Sequence, residues 1–142
     1  MLWEHAEGVC YLVGAVMLAF LGVIDIKHKK IPMALPVLLG CAAVCIRGTS
    51  GLLTAAAGMV PGMMMLLGSR ISRGQMGTGD GLLLICIGAM LGGVQSLEVF
   101  ILSLFFVFIF SCAGLLFKKL SGKSELPFVP FYFAAYIGVV YL

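Results

Sequence analysis

The chain contains only two aspartates, Asp25 and Asp80, and each stands at the end of an apolar run. Asp80 closes the stretch Gly77-Thr78-Gly79-Asp80, where polar, glycine-rich backbone meets an apolar segment. An ionisable group within or beside such a segment is costly and is a functional candidate by default. Two carboxylates brought close together do not both ionise readily, so they share a proton at moderate pH. One then acts as general base toward water, and the other as general acid toward a carbonyl oxygen or a leaving amine. That is the chemistry of an aspartic protease, and it needs neither a metal nor a covalent intermediate.

Other hydrolytic chemistries find little in the sequence. There is no His-Glu-x-x-His for zinc. The two histidines, His5 and His28, fall at opposite ends of the first apolar segment and cannot pair. A Ser-His dyad would need His28 beside Ser69 or Ser72, and a histidine among lysines reads more simply as a solvated side chain. The five cysteines (Cys10, Cys41, Cys45, Cys86 and Cys112) lie singly in apolar runs with no Cys-x-x-Cys pair, which excludes a zinc ribbon. Cys41 and Cys45 could share a helix face, and all five read as small packing residues. No metal and no cofactor is expected.

The elements that must carry the acids follow from composition. With 142 residues, the chain reads as a single domain, 1–142. Hydrophobic residues make up 62% and charged residues 11%, and the mean hydropathy is +1.17. A soluble domain of this size needs far more charge on its surface, so the fold class is an all-α membrane protein. With so little basic surface, a nucleic-acid partner is not indicated, and the lipid bilayer is the expected surround.

Six apolar runs predict six transmembrane helices. The first covers about Val9 to Ile24, ending at Asp25 and Lys27-His28-Lys29-Lys30. Because Glu4, His5 and Glu7 precede it, where a signal peptide wants basic residues, it reads as a retained helix. Ile31-Pro32 opens the second, to about Ile46, with proline suited to a first turn. The third, Leu52 to Leu67, holds Gly58 and Gly62 at the spacing that suits close helix contact, and Pro61 is expected to kink it. A polar connection from Gly68 to Asp80 follows. The fourth, Gly81 to Val94, holds Gly88 and Gly92; at ~1.5 Å per residue it spans about 21 Å, short of a ~30 Å hydrocarbon core. Leu97 to Phe117 and Pro127 to Leu142 are the fifth and sixth.

The basic residues sort by loop. Loop one holds three lysines, loop three two arginines and loop five three lysines, whereas loop two has Arg47 alone and loop four none. The positive-inside rule makes the odd loops cytoplasmic and puts both termini outside. Asp25 and Asp80 then share one membrane depth at the cytoplasmic face. Each acid has a plainer reading by itself: Asp80 as a helix N-cap, Asp25 as an interfacial charge balanced by Lys29, and the glycines as a loose turn. The functional reading of the glycines is that no side chain blocks a substrate strand approaching Asp80. Helix ends suggest that Asp80, at an N-terminus, serves as base while Asp25, at a C-terminus, keeps the proton, although the lysines near Asp25 oppose this.

Met76-Gly77-Thr78-Gly79-Asp80, followed by an apolar helix with Gly88 and Gly92, resembles the GxGD signature of the type IV prepilin peptidases. Asp25 followed by Ile31-Pro32 resembles the family's Asp-x5-Ile-Pro motif, and Pro127-Phe128-x-Pro130 resembles the Pro-Phe-x-Pro that opens its last helix. The resemblance spans nearly the whole chain. It implies a six-helix GxGD aspartyl protease fold and a membrane endopeptidase that cuts basic leader peptides from prepilin or pseudopilin precursors at the cytoplasmic face. The cut is expected after a glycine, just before the precursor's hydrophobic helix. Asp25 and Asp80 become the catalytic pair, Gly77, Thr78 and Gly79 the supporting turn, and Pro32, Pro127, Phe128 and Pro130 further supporting or substrate-binding positions. The precursors would serve type IV pili, Tad pili or type II secretion.

Met33 stands where the family often has Asn, and Leu82 where it often has Lys. Larger members carry a methyltransferase domain with paired Cys-x-x-Cys motifs; these are missing here, so cleavage without methylation is expected. Two alternatives stand beside this reading. One is an intramembrane GxGD protease of the presenilin type, which usually has Tyr before its first aspartate where this chain has Ile24. The other is a non-enzymatic transport or assembly subunit using the two acids as a proton relay.

Overall fold

Helices account for nearly all of the described residues of the computed structural model, which are 2–28, 34–47, 51–73, 78–119 and 126–142. They are α1 (Leu2–His28), α2 (Ala34–Arg47), α3 (Leu52–Ile71), α4 (Thr78–Leu91), α5 (Gly93–Leu116) and α6 (Val129–Tyr141). Each apolar run of the sequence therefore carries one helix. Three of them, α1 over Glu7–His28, α3 and α5, are long and apolar enough to cross a membrane. The others have 14, 14 and 13 residues, or about 20 Å at the helical rise, short of a ~30 Å hydrocarbon core.

Several boundaries differ from the sequence reading. Helix α1 continues past Asp25 to His28, so the acid lies inside its last turn. Helix α3 runs unbroken through Pro61 and past Leu67 to Ile71, and Arg73, at a φ of 53°, follows its end. Within this stretch Ser69 is buried and Arg70 exposed. The connection to α4 is correspondingly shorter than expected. Polar Gln95 and Ser96 do not separate α4 from α5; Gly92 does, alone, at φ 92° and ψ 175°, a conformation open essentially only to glycine. Ser96 instead lies in α5, buried, with its hydroxyl donating to the Gly58 carbonyl oxygen at 2.8 Å.

Helix α4 is the hub. Its sequence is apolar on every face, the pattern of a helix buried all round, and from Gly81 to Leu91 only Leu82 and Ile85 are not fully buried. It packs against α1, α2, α3 and α5, while α6 bridges α1 and α5. Gly40 of α2 faces Cys86, where an added Cβ would come within 3.0 Å of the cysteine Cβ. The core is formed by Leu18 and Leu21 of α1, Leu83, Leu84 and Ile87 of α4, and Tyr132 and Tyr136 of α6. Outward, α5 shows Leu104, Phe105, Phe108 and Ile109, as a lipid-facing surface would.

Contacts give the helix directions. Gly58 lies against Gly88, and Gly62 against Gly81 and Ile85, so α3 and α4 are antiparallel. Gly14 lies by Met90, while Asp25 in the last turn of α1 interacts with Asp80 in the first turn of α4, so α1 is antiparallel to α4. Gly22 lies by Pro130 and Gly14 by Tyr136, which makes α1 antiparallel to α6. Phe110 meets Phe131 at 5.2 Å between ring centroids, while Leu102 meets Gly138, so α5 and α6 are antiparallel. Helices α1, α3 and α5 therefore end together, at the end of the bundle where α4 and α6 begin.

The α3–α4 contact is backbone against backbone. A Cβ at Gly58 would collide with the Gly88 carbonyl oxygen, and one at Gly62 would lie 2.5 Å from the Ile85 nitrogen. Neither obstacle is the flexible end of a side chain. Gly58→Ala is expected to cost about 1–3 kcal/mol of stability, as overpacking does, with thermal unfolding in detergent as the measurement. Gly138→Ala, whose new methyl meets only Leu102 at 3.6 Å, should stay within about 0.5 kcal/mol of the parent.

Two tyrosines on one face of α6 make a second contrast. The Tyr136 hydroxyl donates to the Tyr11 carbonyl oxygen at 3.0 Å. The Tyr132 hydroxyl is fully buried without a hydrogen-bond partner among the described residues. Removing an unpaired buried hydroxyl is neutral or favourable, whereas removing a paired one is not. In the same unfolding assay, Tyr132→Phe should leave stability unchanged or raise it by up to about 1 kcal/mol, and Tyr136→Phe should lower it by about 0.6–1 kcal/mol.

Candidate active site

Asp25 belongs to the buried face of α1 that also carries Gly14, Leu18, Leu21 and Gly22. Asp80 lies on the stripe of α4 that continues through Leu83, Leu84 and Ile87 at helical spacing. Because α1 and α4 are antiparallel, the last turn of one meets the first turn of the other. The two carboxylates lie close enough to feel each other's charge. Asp25 is buried, with 7% of its surface exposed, and Asp80 is half-buried.

A third element completes the site. The backbone N–H of Val129, at the start of α6, donates to Oδ2 of Asp25 at 3.4 Å, longer than the roughly 2.7–3.2 Å usual for such a bond. Phe128 is buried beside it and stacks on Tyr132 at 5.8 Å between ring centroids. Asp25 thus sits at the C-terminal end of its own helix and at the N-terminal end of another. The positive end of the α6 dipole offsets the negative end of α1.

A model of the type IV leader peptidase family matches residues 12–117, about three-quarters of the chain and a span that holds both aspartates. The chain belongs to the type IV leader peptidase family. Family and fold agree, since a leader peptidase of this kind is a membrane protein and three helices here are of membrane-crossing length. No curated protein and no solved structure matches the chain. The family match stops before α6, so the helix that contacts Asp25 through Val129 lies beyond it.

Within this leader peptidase, some of the residues singled out in the sequence lie together and others do not. Asp25 and Asp80 converge. Thr78 and Gly79 are the first residues of α4 itself, not a turn ahead of it. Asp80 is consequently the third residue of the helix, and the plain N-cap reading does not hold. Asp25 is buried and hydrogen-bonded to α6, whereas the alternative in which Lys29 balances its charge falls on a residue outside the described ones. Pro127, Phe128 and Pro130 frame the start of α6 beside Asp25. Gly77 and Pro32 lie outside the described residues, as does Lys29. His28 is exposed at the end of α1 and His5 is exposed near its start. Cys41 and Cys45 are exposed on α2, while Cys86 is buried in the hub.

The Val129 amide was not found by sequence reasoning, because a backbone donor leaves no residue-type signature. The available signal was Pro130 one residue into a helix, which marks the start of the helix and the unpaired N–H groups around it.

Proposed function

We propose that the chain is an aspartic endopeptidase that removes the leader peptide from type IV pilin-like precursors at the cytoplasmic face of the cell membrane, with Asp25 and Asp80 as its catalytic pair. The observation that carries this reading is the convergence of the chain's only two aspartates at one end of the bundle, on helices α1 and α4. Family membership supports the substrate class, and the meeting of the two acids at one end of the bundle supports the chemistry.

In this mechanism the pair shares one proton. The ionised carboxylate takes a proton from water as the water oxygen bonds to the scissile carbonyl carbon, and the protonated one gives its proton to the carbonyl oxygen. The tetrahedral intermediate then collapses: one of its hydroxyls returns a proton to the second carboxylate as the C=O re-forms, the C–N bond breaks, and the amine leaves with the proton gained by the first carboxylate. Both acids return to their starting states, and no covalent enzyme intermediate forms.

Five of the six described basic residues support a cytoplasmic site, the sixth being Arg47 at the end of α2. Lys27, Arg70, Arg73, Lys118 and Lys119 are all exposed at the ends of α1, α3 and α5, the end of the bundle that holds the acids. The positive-inside rule assigns that end to the cytoplasm. The six helices would then all serve as membrane segments, with the bilayer thinned or water-reached where α2, α4 and α6 fall short. A basic end facing a basic leader gives no electrostatic attraction, so precursor recognition rests on helix packing and backbone contacts.

Co-expression of a prepilin with wild-type, Asp25→Asn or Asp80→Asn protein tests the reading through the size shift of the precursor. Asn keeps the volume and an acceptor oxygen but cannot exchange the proton, so each variant should lose about a hundred- to ten-thousand-fold in cleavage rate. Cleavage by either Asn variant at the wild-type rate would rule out the aspartic mechanism. Intact processing with impaired ion movement would instead indicate a proton relay. For the wild-type protein, kcat/KM should fall on both sides of a pH optimum, since both the fully protonated and the fully ionised pair are inactive. Activity should also persist after metal chelation.

A further inference from the structure

The first turn of α6 has few free donors. Its N-cap position, Phe128, has no side-chain cap, and Pro130 has no N–H to give. The Tyr132 N–H bonds to the Phe128 carbonyl oxygen at 3.0 Å. The amides of Val129 and Phe131 are therefore left without an acceptor within the helix. One of the two, Val129, finds its acceptor on α1, in the Asp25 carboxylate.

The packing around this contact is close. Gly22 lies on the Asp25 face of α1, and a Cβ there would sit 3.8 Å from the Pro130 Cα and nitrogen. That is ordinary contact distance, so a methyl group fits at position 22, whereas a larger side chain would press on the start of α6. Val129 is fully buried and Asp25 nearly so. The bond occupies Oδ2, and no donor among the described residues occupies Oδ1.

We infer that Val129 is a positioning residue for the active site: its backbone N–H pins Oδ2 of Asp25 and leaves Oδ1 as the oxygen that works with Asp80 and water. Asp25 caps α6 from another helix, and α6 in return fixes the rotation of the carboxylate about its last bond. This rests on the reading of Asp25 and Asp80 as the catalytic pair, and it adds to the site a helix outside the span that the family model matches.

The test removes the donor and keeps the side chain. Valine is replaced at position 129 in the full-length protein by its α-hydroxy analogue, which turns the amide into an ester. The same replacement at Val94, in the first turn of α5 at the opposite end of the bundle, serves as the control. Because the chain has only two aspartates, isotope-labelled aspartate gives two side-chain carboxyl signals in magnetic resonance, and Asp25→Asn assigns them.

The ester at 129 should lower kcat on a prepilin by about three- to ten-fold, the scale of a modest hydrogen bond, with KM unchanged. It should also move the Asp25 signal, and the ester at 94 should do neither. An unmoved Asp25 signal, an unchanged kcat, or a rise in KM alone would overturn the inference. If the ester protein does not accumulate, Gly22→Leu, which wedges α6 away from α1, must give the same fall in kcat and the same signal shift, and their absence overturns it equally. A failure of the catalytic reading itself is seen separately, as cleavage by Asp25→Asn.

Discussion

Everything in the bundle depends on how closely α3 and α4 approach. Gly58 and Gly88 meet backbone to backbone, with no room for a methyl group on either. Lipid provides little hydrophobic drive for helices to associate, so dispersion contacts and hydrogen bonds must hold them. The glycine contact allows the first, and the Ser96 hydroxyl on the Gly58 carbonyl adds the second. Drawn in by this contact, α4 becomes a helix that protein covers on nearly all sides, and the position of its first turn is set by the neighbours around it. Asp80 is placed by that turn.

The two acids are held by different means. Asp80 is placed by its helix, which is wedged among four others. Asp25 is held by its helix and by a bond from the start of a second one. This difference suits a pair in which the distance between helices and the rotation of one carboxylate must both be right. It also explains the contrast in burial, with Asp25 covered by α6 and Asp80 left partly open.

Much of this was legible in the sequence because membrane helices announce themselves by composition. All six helices were expected near where they lie, and the expectation from loop charges and chain order that Asp25 and Asp80 come together agrees with their meeting at one end of the bundle. The small-residue spacing of Gly58 and Gly62 pointed to the contact that organises the bundle. The errors share one cause, which is that polarity was read as loop. Ser69 and Arg70 continue α3, Ser96 continues α5, and Thr78 and Gly79 begin α4. In each case tertiary burial or a helix end accommodates the polar group, and neither is visible residue by residue. The real break, Gly92, is a single glycine with positive φ inside an apolar run. The Val129 amide was beyond reach for a further reason: its role comes from a backbone atom and from a partner 104 positions away.

That separation bears on how the protein comes into being. The bond joins the first helix to the last, so Asp25 cannot gain its partner until the chain has been synthesised past residue 129 and α6 has docked. A nascent chain carrying both aspartates would lack the contact that orients one of them. Assembly of the site is thus tied to completion of the fold, and in a membrane crowded with other helices a partly made chain would carry the acids without their final arrangement.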